Sequence, residues 1–331
     1  MSASTKSFLI IGSGNIAKRH VKTIRTEVDD AFILLLPSRG VTSTEQETEL
    51  TNQFSDVDAV IASSLDIPRH LFLTIIASPA PLHHLHVEQI INKSERILIE
   101  KPIAENTSTA RRIVDLCQLH QTPAMVGYCL RYLGSADIVR SKLKQGVLGK
   151  VLLVKSNVGQ YLPSWRPGDY RHSVSANKSL GGGALLELSH ELDLVCHLFD
   201  VDKVINATVC QSESLDIDVE DMVQINLSNN DGALISVGLD FLQHKASRTM
   251  TIIGTDATIQ WDLIKNSITL TDKHGDSQSY SGANEWQGND MYIAQLRDFM
   301  TSKSTFRGSK PDEALRVVQL IDDIRHLAQG V

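Results

Sequence analysis

Phe8-Leu9-Ile10-Ile11-Gly12-Ser13-Gly14-Asn15-Ile16-Ala17 is a short apolar run that breaks into a G-x-G-x-x-A turn and passes into a helical pattern. The apolar residues predict a buried strand, and the glycines predict a tight turn into a helix. Gly12 permits the turn. Gly14 lets an anion approach backbone N–H groups at the helix N-terminus, where the helix dipole favours negative charge. Ala17 is small enough for the helix to pack on the sheet. Gly12, Ser13, Gly14, Asn15 and Ile16 are therefore expected to cradle the pyrophosphate of a dinucleotide.

Working outward, the apolar runs Phe8–Ile11, Phe32–Leu36, Ala59–Ala62, Leu71–Ala77, Ile97–Ile99 and Ala124–Val126 alternate with helical stretches. Two of these stretches are His83–Asn92 and Ser108–His120, the second preceded by the candidate caps Asn106, Thr107 and Ser108. Such alternation predicts βαβ units in a doubly wound parallel sheet, a Rossmann domain over residues 1–127. Residues 128–331 read differently. A helix to about Gln145 and a strand at Val151–Val158 precede a series of strand-like runs between Val204 and Leu270. Helices at Asp290–Thr301 and Asp312–Gln329, the latter begun by Pro311, close the chain. The expectation is an α+β domain with an open, mostly antiparallel sheet that binds substrate and makes oligomers.

The chain has 331 residues, beyond the size at which one core stops growing, so two domains are expected. Hydrophobic residues make up 42% and charged residues 21%, which argues against disorder. Lys and Arg number 32 against 39 acids, a net charge of −7 that leaves no basic field for nucleic acid. Cys117, Cys129, Cys196 and Cys210 lie far apart without a C-x-x-C pair, as in a reduced protein. No apolar run is long enough for a signal or membrane segment, so the cytoplasm is expected and a membrane partner is not.

The second strand ends in Leu36-Pro37-Ser38-Arg39-Gly40, with no acid before Glu45. An NAD-specific site usually carries a carboxylate here for the adenosine ribose. A hydroxyl beside a guanidinium suits a 2′-phosphate instead, so Ser38 and Arg39 favour NADP over NAD. The alternative is that Arg39 stacks on adenine and accepts either cofactor. Glu100-Lys101-Pro102 follows the strand Ile97–Ile99, at the carboxyl end where open α/β sheets hold their ligands.

The fingerprint, Ser78-Pro79 leading to His83, Glu100-Lys101-Pro102, and Gly181-Gly182-Gly183 followed by His190 together resemble the Gfo/Idh/MocA family of NAD(P)-dependent oxidoreductases. The resemblance runs in order over nearly the whole chain. It implies that Lys101 lies against the nicotinamide and the substrate hydroxyl, that Ser78, Pro79, His83 and Glu100 contribute to the cofactor site, and that His190 is the acid/base. The asparagine common after the Ser-Pro proline is Ala80 here. The aspartate usual before the histidine is Leu186, which leaves Glu187 as the nearest acid, on the adjacent turn of the same helix as His190.

His83, His84 and His86, and His190, Asp193 and His197 on one helical face, could each suggest a metal. Leu194 stands where a zinc-protease helix needs its second histidine, and no metal is expected. An Asp193–His197 pair that orients His190 is the preferred reading, while His20 is read as a local packing residue. The loop Gln160–Arg171 carries Trp165, Arg166, Tyr170 and Arg171, which are expected to bind a sugar face and an anionic group.

The resemblance implies hydride transfer to or from a secondary alcohol or ketone of a sugar, sugar acid or nucleotide sugar, possession of a homodimeric or homotetrameric sheet interface, and a link to bacterial surface-sugar or nonulosonic-acid pathways. The alternatives are a redox-assisted glycosidase of the same fold and a non-catalytic dinucleotide-sensing regulator.

Overall fold

A computed structural model describes residues 6–38, 44–54, 60–61, 70–165, 167–283, 288–302 and 305–329. The chain forms two compact units, Met1–Cys129 with Tyr292–Leu315, and Leu130–Met291 with Arg316–Val331. The expected division into 1–127 and 128–331 assigned everything after 127 to the second domain, whereas Tyr292–Leu315 clusters with the first unit.

The first unit runs β1 (Ser7–Ile11), α1 (Asn15–Glu27), β2 (Phe32–Leu36), α2 (Thr44–Phe54), β3 (Val60–Ile61), β4 (Leu73–Ile76), α3 (His83–Ile90), β5 (Ile97–Ile99), α4 (Thr107–Leu119) and β6 (Ala124–Val126). Its six strands are parallel in the order β3-β2-β1-β4-β5-β6. This is the doubly wound order, with the reversal of direction between β1 and β4. Phe8, Leu9, Ile10 and Ile11 are wholly buried, as a central parallel strand covered on both faces requires. Ala17, Val21 and Ile24 make the buried stripe of α1. Asn106 caps α4 by accepting from the Thr109 amide at 2.9 Å, as its position before the helix predicts.

The second unit holds α5 (Gly134–Lys144), β7 (Val151–Gly159), α6 (Ala184–Glu187), α7 (His190–Phe199), β8 (Val201–Cys210), β9 (Met222–Asn229), β10 (Leu234–Asp240), β11 (Ser247–Gly254), β12 (Ala257–Asp262), β13 (Ser267–Asp272) and β14 (Ser277–Ser281). They build an eight-stranded sheet, β14-β13-β12-β11-β7-β10-β9-β8, in which only the β7–β10 pair is parallel. Period-two alternation sorts its faces: Val223, Ile225, Leu227, Ile235 and Val237 are buried, while Gln224 and Lys155 look outward. The outward face carries polar cross-strand pairs such as Gln224–Ser236 and Asn226–Asn206, each at 3.0 Å. The helix expected to run to about Gln145 is α5, which ends at Lys144. Cys129–Tyr132 form a 3-10 turn, and Leu133 is extended before α5.

Two helices end the chain, α8 (Asp290–Thr301) and α9 (Pro311–Gln329), and the division between units falls within α9. Arg96 ties α8 to the first unit, to which it belongs from Tyr292 onward. Its guanidinium is buried, donates to the carbonyls of Phe299 at 2.7 Å and Met300 at 2.8 Å, and lies over the Phe72 ring at 4.6 Å. Carbonyls in the last turn of a helix lack intrahelical donors and concentrate negative charge, so a cation there satisfies both needs. Arg96→Met, which keeps the stem and removes the donors, is expected to lower the stability of this unit by about 2–4 kcal/mol in urea unfolding. A loss below about 0.5 kcal/mol, the range of an ordinary surface change, would contradict that role.

Candidate functional site

The carboxyl ends of three adjacent strands, β1, β4 and β5, lead into Gly12, Ser78 and Glu100. Gly12 adopts φ 134°, its amide donates to the Leu36 carbonyl at 2.8 Å, and a Cβ on it would lie 2.4 Å from the Ala77 carbonyl oxygen. No other residue fits that turn. Gly14 is different. A Cβ there would meet nothing within 4 Å, and no side chain caps the N-terminus of α1, whose first turn contains no acid. The backbone beside Ser13, Asn15 and Ile16 is thus open to a pyrophosphate, and the residues present fit a dinucleotide. Gln53 of α2 holds the turn from the other side, donating to the Ser13 carbonyl at 3.0 Å.

Ser78 is clasped by two histidines of α3. His83 is wholly buried, with Nε2 2.8 Å from the Ser78 carbonyl and Nδ1 3.1 Å from the Ile103 carbonyl. Burial pushes its pKa down, so the neutral ring donates one N–H, and the Ser78 contact is the shorter. His86 contacts the Ser78 hydroxyl at 2.9 Å through Nδ1 and the Ser38 carbonyl at 3.2 Å through Nε2. These imidazoles hold the strand ends. Among the described residues no group of three or more His, Cys, Asp or Glu side chains is arranged to hold a metal ion.

Glu100 is buried and accepts from His20 Nε2 at 2.6 Å and from the Lys101 amide at 3.2 Å. The Tyr292 ring packs edge-on against His20 at 5.8 Å, and its hydroxyl pKa is raised by burial. His20 is thus more than a local packing residue. It joins the helix that follows the fingerprint to the Glu-Lys-Pro segment, and half-buried Lys101 follows directly.

In the second unit the glycine run leads into a broken helix. Gly183 sits at φ 104°, where a Cβ would lie 2.4 Å from Glu220 Oε1. Glu220 accepts from the Leu185 amide at 3.2 Å, and its pKa is raised by burial. One continuous helix through Glu187 and His190 is not formed. Leu188 leaves the helical region at φ −98°, ψ 20°, and the Ser189 hydroxyl donates to the Leu186 carbonyl at 2.8 Å. Glu187 ends α6 and accepts from the Ser175 hydroxyl at 2.6 Å, while half-buried His190 opens α7. Asp193, one turn further on, receives Arg131 bidentately at 2.9 and 2.7 Å, a pair whose side chains are both buried. Arg131 is therefore the partner that the expected Asp193–His197 pairing did not include. Glu191 is likewise buried against Arg248, at 2.6 Å.

The loop after β7 places half-buried Trp165 edge-on to Phe241 at 5.1 Å, with half-buried Tyr170 nearby in sequence. Arg171 is exposed and paired: its Nε and Nη2 meet Asp169 at 2.8 and 2.6 Å, and Nη1 lies 3.4 Å from Asp216. That pairing holds the Asp169 pKa down to about 2, and an anionic ligand would compete with Asp169 for the guanidinium. Arg39 and Arg166 lie outside the described residues.

Residues 6–128 match the model of the oxidoreductase family with an NAD-binding Rossmann fold, and residues 137–260 match the Gfo/Idh/MocA C-terminal domain. The chain belongs to the Gfo/Idh/MocA family. Among curated relatives, the glucose-6-phosphate 3-dehydrogenase of Bacillus subtilis is 26% identical over 66% of this chain and 63% of its own length. The D-glucoside 3-dehydrogenase of Escherichia coli is 24% identical over 62% of this chain and 58% of its own. The matched stretch thus spans less than two thirds of either relative. A levoglucosan dehydrogenase solved with NADH superposes with a TM-score of 0.84 at 17% identity, covering 99% of this chain and 98% of that one. The UDP-N-acetylglucosamine 3-dehydrogenase of Acidithiobacillus ferrooxidans gives 0.77 at 16%, covering 99% of both chains. These likenesses establish the Gfo/Idh/MocA fold over the chain's full length.

Sequence reasoning missed Gln53 and Arg131, and it named His20 and His86 without their partners. His20 falls one turn after Ala17 on the buried stripe of α1, and a polar residue there signals a buried partner. His20→Leu is expected to destabilise the first unit by about 2–3 kcal/mol, because Glu100 keeps its burial and loses a donor. His20→Gln should recover at least half of that loss. Chemical denaturation decides this, and equal midpoints for wild type and His20→Leu would remove the pair from the structural account.

Proposed function

We propose that this chain transfers a hydride between a nicotinamide dinucleotide and a secondary alcohol or ketone of a sugar, sugar acid or nucleotide sugar. The observation that carries the reading is the uncapped α1 N-terminus beside Gly12 and Gly14, at the same sheet edge as Glu100 and Lys101. Membership of a family whose curated relatives are named as sugar dehydrogenases supports the substrate class. We take residues 1–127 as the dinucleotide domain and 128–331 as the substrate domain, apart from Tyr292–Leu315, which returns to the first unit.

When bound, the nicotinamide supplies the hydride acceptor or donor. Backbone N–H groups at Ser13 to Ile16 bind the pyrophosphate, and Ser78, Pro79 and His83 border the ribose. Lys101, held through Glu100, stabilises negative charge that develops on the substrate oxygen, and His190 takes or returns the hydroxyl proton. An imidazole suits that task because its ordinary pKa lies near neutrality. Glu187 supports His190 through the Ser175-anchored end of α6. Trp165 and Tyr170 offer flat apolar faces to a sugar, with Arg171 meeting an anionic group by exchanging Asp169 for it.

NADP is the preferred cofactor in this reading, since Ser38 stands where a carboxylate would repel a 2′-phosphate. The protein works in the cytoplasm as a homodimer or homotetramer. Its open sheet face is the contact, because Met222 and Leu234 stand exposed on it among the polar pairs. No helix among the described residues is long and apolar enough to cross a membrane.

Purified protein should generate reduced-cofactor absorbance with one or more members of a sugar, sugar-acid and nucleotide-sugar panel, with NADP binding more tightly than NAD. Lys101→Ala and His190→Ala should each slow single-turnover hydride transfer by about 10²–10⁴-fold while cofactor binding is kept. Ser38→Asp should reverse the cofactor preference. Losses below about tenfold in both variants would remove the two residues from the chemistry, and tighter NAD binding by wild type would overturn the cofactor assignment.

A further inference from the structure

Gly12 turns out of β1 between two flanking strands, β2 and β4. The chain leaves β2 through Ser38 and leaves β4 through Ser78, so these residues border the Gly12 turn on either side. One side chain spans the gap. His86 is rooted in α3, is 6% exposed, and reaches the Ser78 hydroxyl at 2.9 Å and the Ser38 carbonyl at 3.2 Å.

The chemistry of the partners fixes the tautomer. A backbone carbonyl only accepts, so the Nε2 facing Ser38 carries the proton. In a neutral ring Nδ1 is then an acceptor, and the Ser78 hydroxyl donates to it. Burial lowers the His86 pKa to about 4, so the ring stays neutral near pH 7. The Ser78 proton is committed to the imidazole, and the lone pairs of Oγ are what remain.

We propose that His86 is a positioning residue for the dinucleotide: its imidazole ties the end of β2 to the end of β4 and turns the Ser78 hydroxyl into an acceptor for a ribose hydroxyl. The clamp rests on the dinucleotide reading above. Without it, Ser78 Oγ is free to rotate and to present its proton, which opposes a ligand hydroxyl that must donate. The Ser38 carbonyl also loses its tether, and the chain leaving β2 loses its fixed height over the Gly12 turn. Ser78 is adjacent to that turn, since a Cβ on Gly12 would lie 3.1 Å from the Ser78 amide nitrogen.

NADH fluorescence titration of the full chain tests the clamp with wild type, Ser78→Ala, His86→Leu, His86→Gln and the Ser78→Ala/His86→Leu double variant. His86→Leu should weaken NADH binding about tenfold, the effect of losing roughly one well-placed hydrogen bond. Gln carries a donor and an acceptor and should return affinity to within about threefold of wild type. The double variant should lose less affinity than the two single losses combined, because both act through Ser78 Oγ and only the Ser38 tether is separate. Binding by His86→Leu within about threefold of wild type, or losses that simply add, would overturn the clamp. Failure of wild type to bind either NADH or NADPH, titrated in parallel, would instead overturn the dinucleotide reading itself.

Should His86→Leu not fold, 15N-histidine NMR of the wild-type protein at pH 7 decides. A neutral ring protonated at Nε2 is expected at position 86, assigned by its loss in His86→Gln. A ring protonated at Nδ1, or at both nitrogens, would refute the proposal.

Discussion

The close approach of the Gly12 turn to the end of β4 is the constraint on which the rest of the first unit depends. A Cβ at Gly12 would lie 2.4 Å from the Ala77 carbonyl, so the turn exists only because residue 12 has no side chain. That contact sits at the reversal of strand order, and it brings the α1 N-terminus, Ser78 and Glu100 to one edge. The buried polar contacts around it are consequences. Once Glu100, Ser78 and the strand-end carbonyls are removed from water, each needs a partner. His20, His83 and His86 meet that need.

The second unit solves a related problem around His190. Gly183 lets Glu220 close on the start of α6, and the helix then breaks at Leu188, so His190 opens a helix of its own. The buried carboxylates that follow are each balanced by a guanidinium, Asp193 by Arg131 and Glu191 by Arg248. Removing either cation would strand a charge in a medium that solvates it poorly, a cost of about 3–5 kcal/mol. The two pairs anchor α7 beneath its first residue, His190.

Much of this was legible in the sequence. Continuous apolar runs identified the parallel strands because such strands are buried on both faces, and Gly12 identified the turn because no other residue is tolerated there. Asn106 was readable as a cap for a local reason, its side chain bonding a backbone amide three residues on. Three features were not legible. The edge strands β8 and β14 lack a clean apolar alternation, since β14 is Ser-Gln-Ser-Tyr-Ser and meets β13 through hydroxyl pairs such as Thr271–Ser277 at 2.8 Å. The partners of buried charges lie far along the chain, 80 residues apart for His20–Glu100 and 62 for Arg131–Asp193. Periodicity carries no information about such pairs. The break between Glu187 and His190 escaped for the same reason, because Leu188 and Ser189 are compatible with a continuous helix until tertiary contacts decide otherwise.

Amide hydrogen exchange of the intact protein with and without NADH tests the central claim most directly. The account predicts that saturating NADH slows exchange at the turn from Gly12 to Ala17 and at the segment from Ser78 to His83, with both regions protected together. Binding of NADH that leaves these two segments unprotected, with slowing confined to other parts of the chain, would contradict it.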